Sequence, residues 1–396
     1  MQKRSLGLSL FGSLAIIVSA CSTAATPSPS TASQAPASTA PSSGGSVAPS
    51  VATSTAPHSD LKIGVVTDIG TLNDKNYNEY SFKGAEAGAA AIGAAEPKSI
   101  VPTSASDYAP SIKSFVDQSF DVIITVGFNL AGATGEAAVA NPKVKFIGVD
   151  QSPICITADG KQDFTFPCPV DSTTIAPNYT SLAFQEDQAG YLAGIVAAGA
   201  SKSGIIGAIG GTSICAPCVR YIQGYELGAK SVKADINVVS AYVTNDFGPK
   251  AFQDQAGGKT FAENFLKQHK GLDVLFQVAG LTGNGVLDAA CAANILGIGV
   301  DVDQFPSYPA ADPCLLTSAE KHLQLAVSTA LKSVADGSIK GGTFLYDAKN
   351  DGIGVSQGHN NGNKWAQGTQ ALLNTALAGM KDGSLKTCPA NCGSLK

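Results

Sequence analysis

The chain has 396 residues and a formal net charge of −5, from 26 Lys and Arg against 31 Asp and Glu. That balance offers no basic footprint for nucleic acid. With 44% hydrophobic and only 14% charged residues, the composition excludes a disordered or fibrous chain and suits well-covered parallel sheets, and the length admits two domains of ordinary size.

Residues 1–21 read as a secretory leader, with Lys3 and Arg4 ahead of the apolar run 14–18 and small residues before Cys21. The run is too short for a spanning helix, which needs roughly 20 apolar residues. Its Val18-Ser19-Ala20-Cys21 end resembles a bacterial lipobox, which implies an extracytoplasmic protein anchored to the cell membrane by lipidation at Cys21. Residues 22–58 are almost entirely Ser, Thr, Ala, Pro and Gly and cannot bury enough apolar surface to offset their ordering entropy. They read as a disordered tether, or alternatively as a disordered tail without a membrane role.

Residues 61–88, LKIGVVTDIGTLNDKNYNEYSFKGAEAG, are the most informative stretch. An apolar, β-branched run at 61–67 predicts a strand covered on both faces, and the Ala-rich run 85–95 predicts a helix. Between them stand Asp68, Asn73, Asp74, Asn76, Tyr77 and Asn78, at the carboxyl edge of a sheet, where open α/β proteins bind ligands. An Asx-rich turn that merely caps the helix is the competing account.

Further strands are predicted at 99–102, 122–125 and 145–149, with helices at 108–119 and 130–140, and a second set of strands at 204–209, 238–243, 274–278 and 295–300. Two alternating sets mean an α/β fold of two doubly wound Rossmann-like lobes, with strand-following loops facing each other across a cleft.

The segment 61–88 resembles the opening of the basic membrane protein family of ABC-transporter substrate-binding lipoproteins, many of which are purine nucleoside receptors. Six more blocks match in order, among them KFIGVDQ at 145–151, LAFQEDQAGYLAG at 182–194, GIGVDVDQ at 297–304 and LLTSAEKH at 315–322. The resemblance covers nearly everything from residue 60 onward. It implies the type I periplasmic binding protein architecture, with three crossings between lobes near Asn178, Thr317 and Tyr346. The lobes would then be 59–178 plus 318–346, and 179–317 plus 347–396.

The resemblance also implies site residues. Tyr77, where the family generally has phenylalanine, and Phe184 would sandwich a purine ring from opposite lobes; taken alone, Phe184 reads more often as core. Asp68, Asp74 and Asn78 would meet the base edge, with helix capping as the other role for Asp74. Gly127 and Phe128 follow a strand where family members often place an acid further on, but this chain has Asn129, Leu130 and Ala131. Gly280 suits a close backbone approach to ligand; the spacing GLTGNG at 280–285 is not a dinucleotide fingerprint. Asp303 would grip ribose hydroxyls and Lys321 would reach the ribose across the cleft, unless that lysine is an exposed helix residue. The implied molecule is a monomer that takes a nucleoside, uses no cofactor and hands its ligand to ABC permease subunits.

Besides Cys21, eight cysteines pair by proximity as Cys155 with Cys168, Cys215 with Cys218, Cys291 with Cys314, and Cys388 with Cys392, and disulfides are the default in an exported chain. Cys215-Ala-Pro-Cys218 after a strand and before a helix also suggests thiol-disulfide oxidoreductase chemistry. A zinc site from Cys215, Cys218, Cys388 and Cys392 is the metal alternative. With four histidines not spaced as metal ligands and no G-x-S-x-G or H-E-x-x-H motif, hydrolase chemistry is not indicated, and the chain reads as a binding protein rather than an enzyme. The rival binding functions are capture of a sugar or signalling ligand, or service as a sensor or adhesin.

Overall fold

The computed structural model describes residues 59–151 and 172–393. The leader, the tether, Cys21 and the Cys155 and Cys168 pair lie outside the described residues. In chain order the strands are β1 (Ile63–Val66), β2 (Lys98–Ile100), β3 (Val122–Val126), β4 (Lys145–Val149), β5 (Tyr179–Phe184), β6 (Ile205–Thr212), β7 (Asn237–Thr244), β8 (Val274–Val278), β9 (Leu296–Asp301), β10 (Leu315–Lys321), β11 (Gly342–Tyr346) and β12 (Ile353–Val355).

They form two sheets of the same order, β11-β5-β4-β3-β1-β2 and β12-β10-β9-β8-β6-β7. Every pairing is parallel except that of β10 with β12. The central strands β1, β3 and β8 are buried at every position, as apolar runs between two helical layers must be. In both sheets the order reverses beside the first strand, at β1/β3 and at β6/β8. Doubly wound sheets open a crevice at such switch points.

The chain crosses between sheets one strand later than expected at its first two crossings. β5 pairs with β4 in the first sheet, so the crossing follows Phe184 rather than Asn178. Asn178 is a loop lock within the first lobe, its amide donating to the carbonyls of Ala138, Asn141 and Val144 at 3.0, 3.1 and 2.8 Å. β10 pairs with β9 in the second sheet, so the next crossing follows Lys321 rather than Thr317. The third lies between β11 in the first sheet and β12 in the second.

Two helices behind the second sheet, Glu186–Ala200 and Ala216–Val232, pack backbone against backbone. A Cβ at Gly190 or Gly194 would collide with the carbonyls of Tyr221 and Tyr225, and one at Gly224 or Gly228 with those of Asp187 and Tyr191. The reciprocal glycine spacing holds the start of one helix against the first turns of the other. This contact fixes Glu186 beside Arg220.

Candidate functional site

The carboxyl edges of both sheets line a cleft with about 950 Å³ of empty space, counting the part open to solvent. The first lobe contributes Asp68 to Asn78 after β1, Gly127 to Asn129 after β3, and Asp150 after β4. The second contributes Cys215 to Tyr221 after β6, Phe247 to Gln253 after β7, Gly280 and Leu281 after β8, and Asp301 and Lys321 at the ends of β9 and β10.

Lys321 is the electrostatic hub. Its buried ammonium donates to Asp150 Oδ2 at 2.5 Å, lies 3.3 Å from Glu186 Oε1, and stands 3.9 Å from Asp301 Oδ1. The rings of Tyr77, Phe184 and Tyr221 surround it at 5.6, 5.5 and 5.6 Å. Asp150 comes from one lobe and Lys321 from the other, so the pair ties the lobes at the base of the cleft. Charges buried this deeply persist because each has a partner. Arg220 Nε completes the network on Glu186 at 2.5 Å.

Burial sets the protonation of these groups. It pushes the Asp301 carboxyl up to about 6, although Lys321 pulls it down; Asp150 and Glu186 add to the rise. Asp74 is likewise raised to about 6 by burial, against the amides it accepts. Burial also raises Asp150 and Asp68 above the ordinary carboxylate range. Glu186 is the exception: burial opposes its charge, but Arg220 and Lys321 overcome that and hold it low. Lys321, despite its own burial, is held above an ordinary lysine by Asp150, Glu186 and Asp301.

Eight of the ten expected ligand residues line the cleft: Asp68, Asp74, Tyr77, Asn78, Gly127, Phe128, Gly280 and Lys321. Lys321 ends a strand and is buried, so it is no exposed helix lysine. Asp74 is committed to capping, accepting the backbone N–H groups of Asn76, Asn78 and Glu79 at 2.8, 2.9 and 3.1 Å. Asp68 accepts the Tyr108 hydroxyl and, at 3.4 Å, the Asn129 amide. Asn129 thus supplies a donor to Asp68, where a second carboxylate would repel it. Gly127, at φ 110°, passes so close to Asp68 that a Cβ would lie 2.7 Å from Oδ2. The Asn78 Oδ1 atom is buried with no partner among the described residues, although buried acceptors are ordinarily paired.

Two of the expected ligand residues stand outside the cleft lining. Phe184 is 3% exposed and does not line the cleft; it stacks on Tyr346, ring centroids 5.3 Å apart, beneath Lys321. As the last residue of a fully buried strand it belongs to the core. Asp303 caps a short helix by accepting the Phe305 amide at 3.2 Å and pairs with His359 at 2.8 Å, outside the cleft. The acid that faces the cleft is Asp301, two residues earlier.

The sequence reading also missed Asp150, Asp301, Glu186, Arg220, Tyr221 and Phe247. The signal for the two aspartates is a repeat: Gly148-Val149-Asp150 and Gly299-Val300-Asp301 end equivalent strands, β4 and β9, and both acids sit at positive φ, 59° and 65°. Phe247, 42% exposed, leans on Phe128 with centroids 5.1 Å apart, an aromatic contact between lobes. Nothing in its polar loop distinguishes it from an ordinary turn residue.

Three disulfides join Cys215 to Cys218, Cys291 to Cys314 and Cys388 to Cys392, as spacing suggests. The four cysteines of the zinc alternative do not converge. Among the described residues the one group with metal-ligand proximity is Asp187, Cys388 and Cys392, and its sulfurs are bonded to each other. Among the described residues no helix is long and apolar enough to cross a membrane.

Comparison with known proteins agrees with this geometry. The family model described as ABC transporter substrate-binding protein PnrA-like (Bmp) matches residues 61–376. The ABC transporter nucleoside-binding protein BmpA of Lactococcus lactis subsp. cremoris is 33% identical over 313 residues, 74% of this chain and 81% of that protein. An uncharacterized lipoprotein of Pyrococcus abyssi is 28% identical over 304 residues, covering 74% of this chain and 68% of its own. An ABC transporter solute-binding protein of Aeropyrum pernix K1 shares the fold, with a TM-score of 0.68 at 23% identity over 82% of this chain and 92% of that one.

Proposed function

The chain belongs to the PnrA-like (Bmp) family of ABC transporter substrate-binding proteins, and from that premise we propose that it captures a purine nucleoside in the cleft and delivers it to membrane permease subunits. As a member of that family it is a binding component of transport, not an enzyme. Its fold is that of type I periplasmic binding proteins.

The observation that carries the nucleoside reading is the pairing of aromatic faces with an acid-rich floor. Tyr77, Phe128, Phe247 and Phe252 offer apolar area to a flat ring, and stacking a base on one aromatic is worth roughly 1–3 kcal/mol. Four carboxyl groups, Asp68, Asp74, Asp150 and Asp301, face the cleft with Lys321 as the one base among its described lining residues. That balance favours a neutral ligand rich in donors, such as ribose hydroxyls, and opposes a phosphate. The relative named as nucleoside-binding supports the same substrate class.

Binding is hinge closure. A ligand touching both walls stabilises the closed arrangement that the Asp150 to Lys321 contact already favours. Lipidation at Cys21 would hold the protein beside its permease, a reading supported by the lipobox-like sequence and by the lipoprotein relative.

The deciding experiment is calorimetric titration of protein unfolded and refolded to strip carried-over ligand. The titrants are purine and pyrimidine nucleosides, nucleotides, free bases and sugars. Submicromolar binding confined to purine nucleosides supports the reading. Preference for a nucleotide or a sugar rejects it and leaves the family assignment standing.

A further inference from the structure

The Cys215 to Cys218 disulfide is placed where a merely stabilising bridge has no reason to be. It lines the ligand cleft together with Pro217, while both cysteines are buried, 2% and 5% exposed. Three residues of separation close so short a loop that little unfolded-chain entropy is removed. Its effect is local. Cys215 caps the helix Ala216–Val232, its sulfur accepting the Cys218 N–H at 3.2 Å. On the next turn stand Arg220, which holds Glu186, and Tyr221, whose hydroxyl donates to Asp301 at 3.3 Å.

We propose that the Cys215–Cys218 disulfide is a positioning element of the ligand site, whose oxidised form sets ligand affinity by fixing the helix turn that carries Arg220 and Tyr221. The inference rests on the reading that the ligand occupies this cleft. Oxidised, the bridge presents two adjacent polarizable sulfurs without a donor or a charge, a surface that packs well against an aromatic ring. A dithiol reductant delivers two electrons and two protons to the S–S bond, leaving two thiols and itself as a cyclic disulfide. The wall then gains two S–H groups, one at a helix N-terminus where thiols ionise more readily, facing an acid-rich floor. Affinity drops, and by reciprocity bound ligand makes the bridge harder to reduce.

Three readouts on the full chain test this. First, Cys215→Ala with Cys218→Ala weakens inosine binding by about tenfold, an ordinary coupling, while Cys291→Ala with Cys314→Ala, remote from the cleft, stays within about twofold. Second, saturating inosine lowers the reduction potential of the Cys215–Cys218 couple by about 30 mV for each tenfold of that coupling, and reoxidation of the reduced protein restores affinity. Third, carbon NMR of the Asp301 carboxylate, assigned by Asp301→Asn, shows a moved titration in the Cys215→Ala, Cys218→Ala protein without ligand. Unchanged affinity or an unmoved Asp301 titration overturns the proposal. If oxidised protein does not bind inosine, the binding readouts use whichever purine nucleoside it does bind; binding of none rejects the nucleoside reading instead, and the Asp301 titration alone then decides the positioning role.

Discussion

On the first-lobe side of the cleft the lining residues after β1, β3 and β4 include three carboxylates and two amides beside Tyr77 and Phe128, whereas those after β6, β7 and β8 include a cystine, a proline, two phenylalanines and a leucine but no carboxylate. The two sheets share one strand order, so the backbone does not dictate this asymmetry. One wall carries most of the carboxylates and amides and the other more of the apolar area, and they meet at the Asp150 to Lys321 contact. A ligand with a polar edge and an apolar face would use both walls, and on the proposed reading it would add to the closure that this contact favours.

The contact joining the walls offers the sharpest break. Lys321→Met leaves Asp150, Glu186 and Asp301 clustered without their shared cation, and removing one partner of a buried pair typically costs about 3–5 kcal/mol. The expected outcome is a large fall in urea midpoint together with loss of ligand binding. Lys83→Met, at an exposed helix pair with Glu79, should leave both nearly unchanged. Equal behaviour of the two variants would remove Lys321 from its central role.

A second contrast separates core from wall. Phe184→Ala empties a buried ring site beside Tyr346 and should lower stability by about 3–5 kcal/mol. Phe247→Ala, at a half-exposed position in the cleft, should barely move the urea midpoint but cost about 1–3 kcal/mol of affinity if a base stacks there. Reversed effects would restore Phe184 to the ligand and demote Phe247.

How far the sequence exposed this site follows from the same asymmetry. A run of Asp, Asn and Tyr after a buried strand is anomalous in an apolar surrounding, so Asp68 to Asn78 stood out. Lys321 came only through the family resemblance, because by itself it read equally as an exposed helix lysine. Tyr221 looks like core and Phe247 like an ordinary turn residue, so both passed unnoticed, while Phe184, which alone reads as core, was assigned to the ligand by the family resemblance. Asp301 and Asp303 are both acids at a strand end; their choice depends on where the strand stops and which way a residue at positive φ turns its side chain. The doubly wound fold was legible because alternating apolar runs and helix formers demand it. The crossings were not, because the turn at Pro177 and Asn178 has the same composition whether it leaves a lobe or stays within it.

Burial raises the one acid on the second wall as it raises those on the first. Asp301 is raised to about 6 by burial, and it accepts ligand hydroxyls best as the carboxylate. As pH falls through about 6 the free protein takes up a proton that ligand must expel, so affinity should be flat above pH 7 and then drop, approaching about tenfold per pH unit. Glu186, Asp150 and Asp74 face the same carboxyl, so Asp301→Asn is the control: it should weaken binding at neutral pH and flatten the profile. A profile unchanged by that substitution assigns the titration to another acid, such as Asp74 with its similar raised value.

The smallest effect tests the residue that joins the two kinds of chemistry on a single ring. Tyr77 carries a hydroxyl where phenylalanine is expected from the family, and that hydroxyl reaches the Val149 carbonyl at 3.3 Å. Its ring lies 5.6 Å from the Lys321 ammonium. Tyr77→Phe keeps the ring and removes one long, buried hydrogen bond, so stability should fall by only about 0.5–1.5 kcal/mol. Affinity for a nucleoside should change little, because stacking depends on the face and not the hydroxyl. A loss of affinity larger than the loss of stability would mean that the hydroxyl itself meets the ligand, and the first wall would then recognise a polar edge through an aromatic residue as well as through its carboxylates and amides.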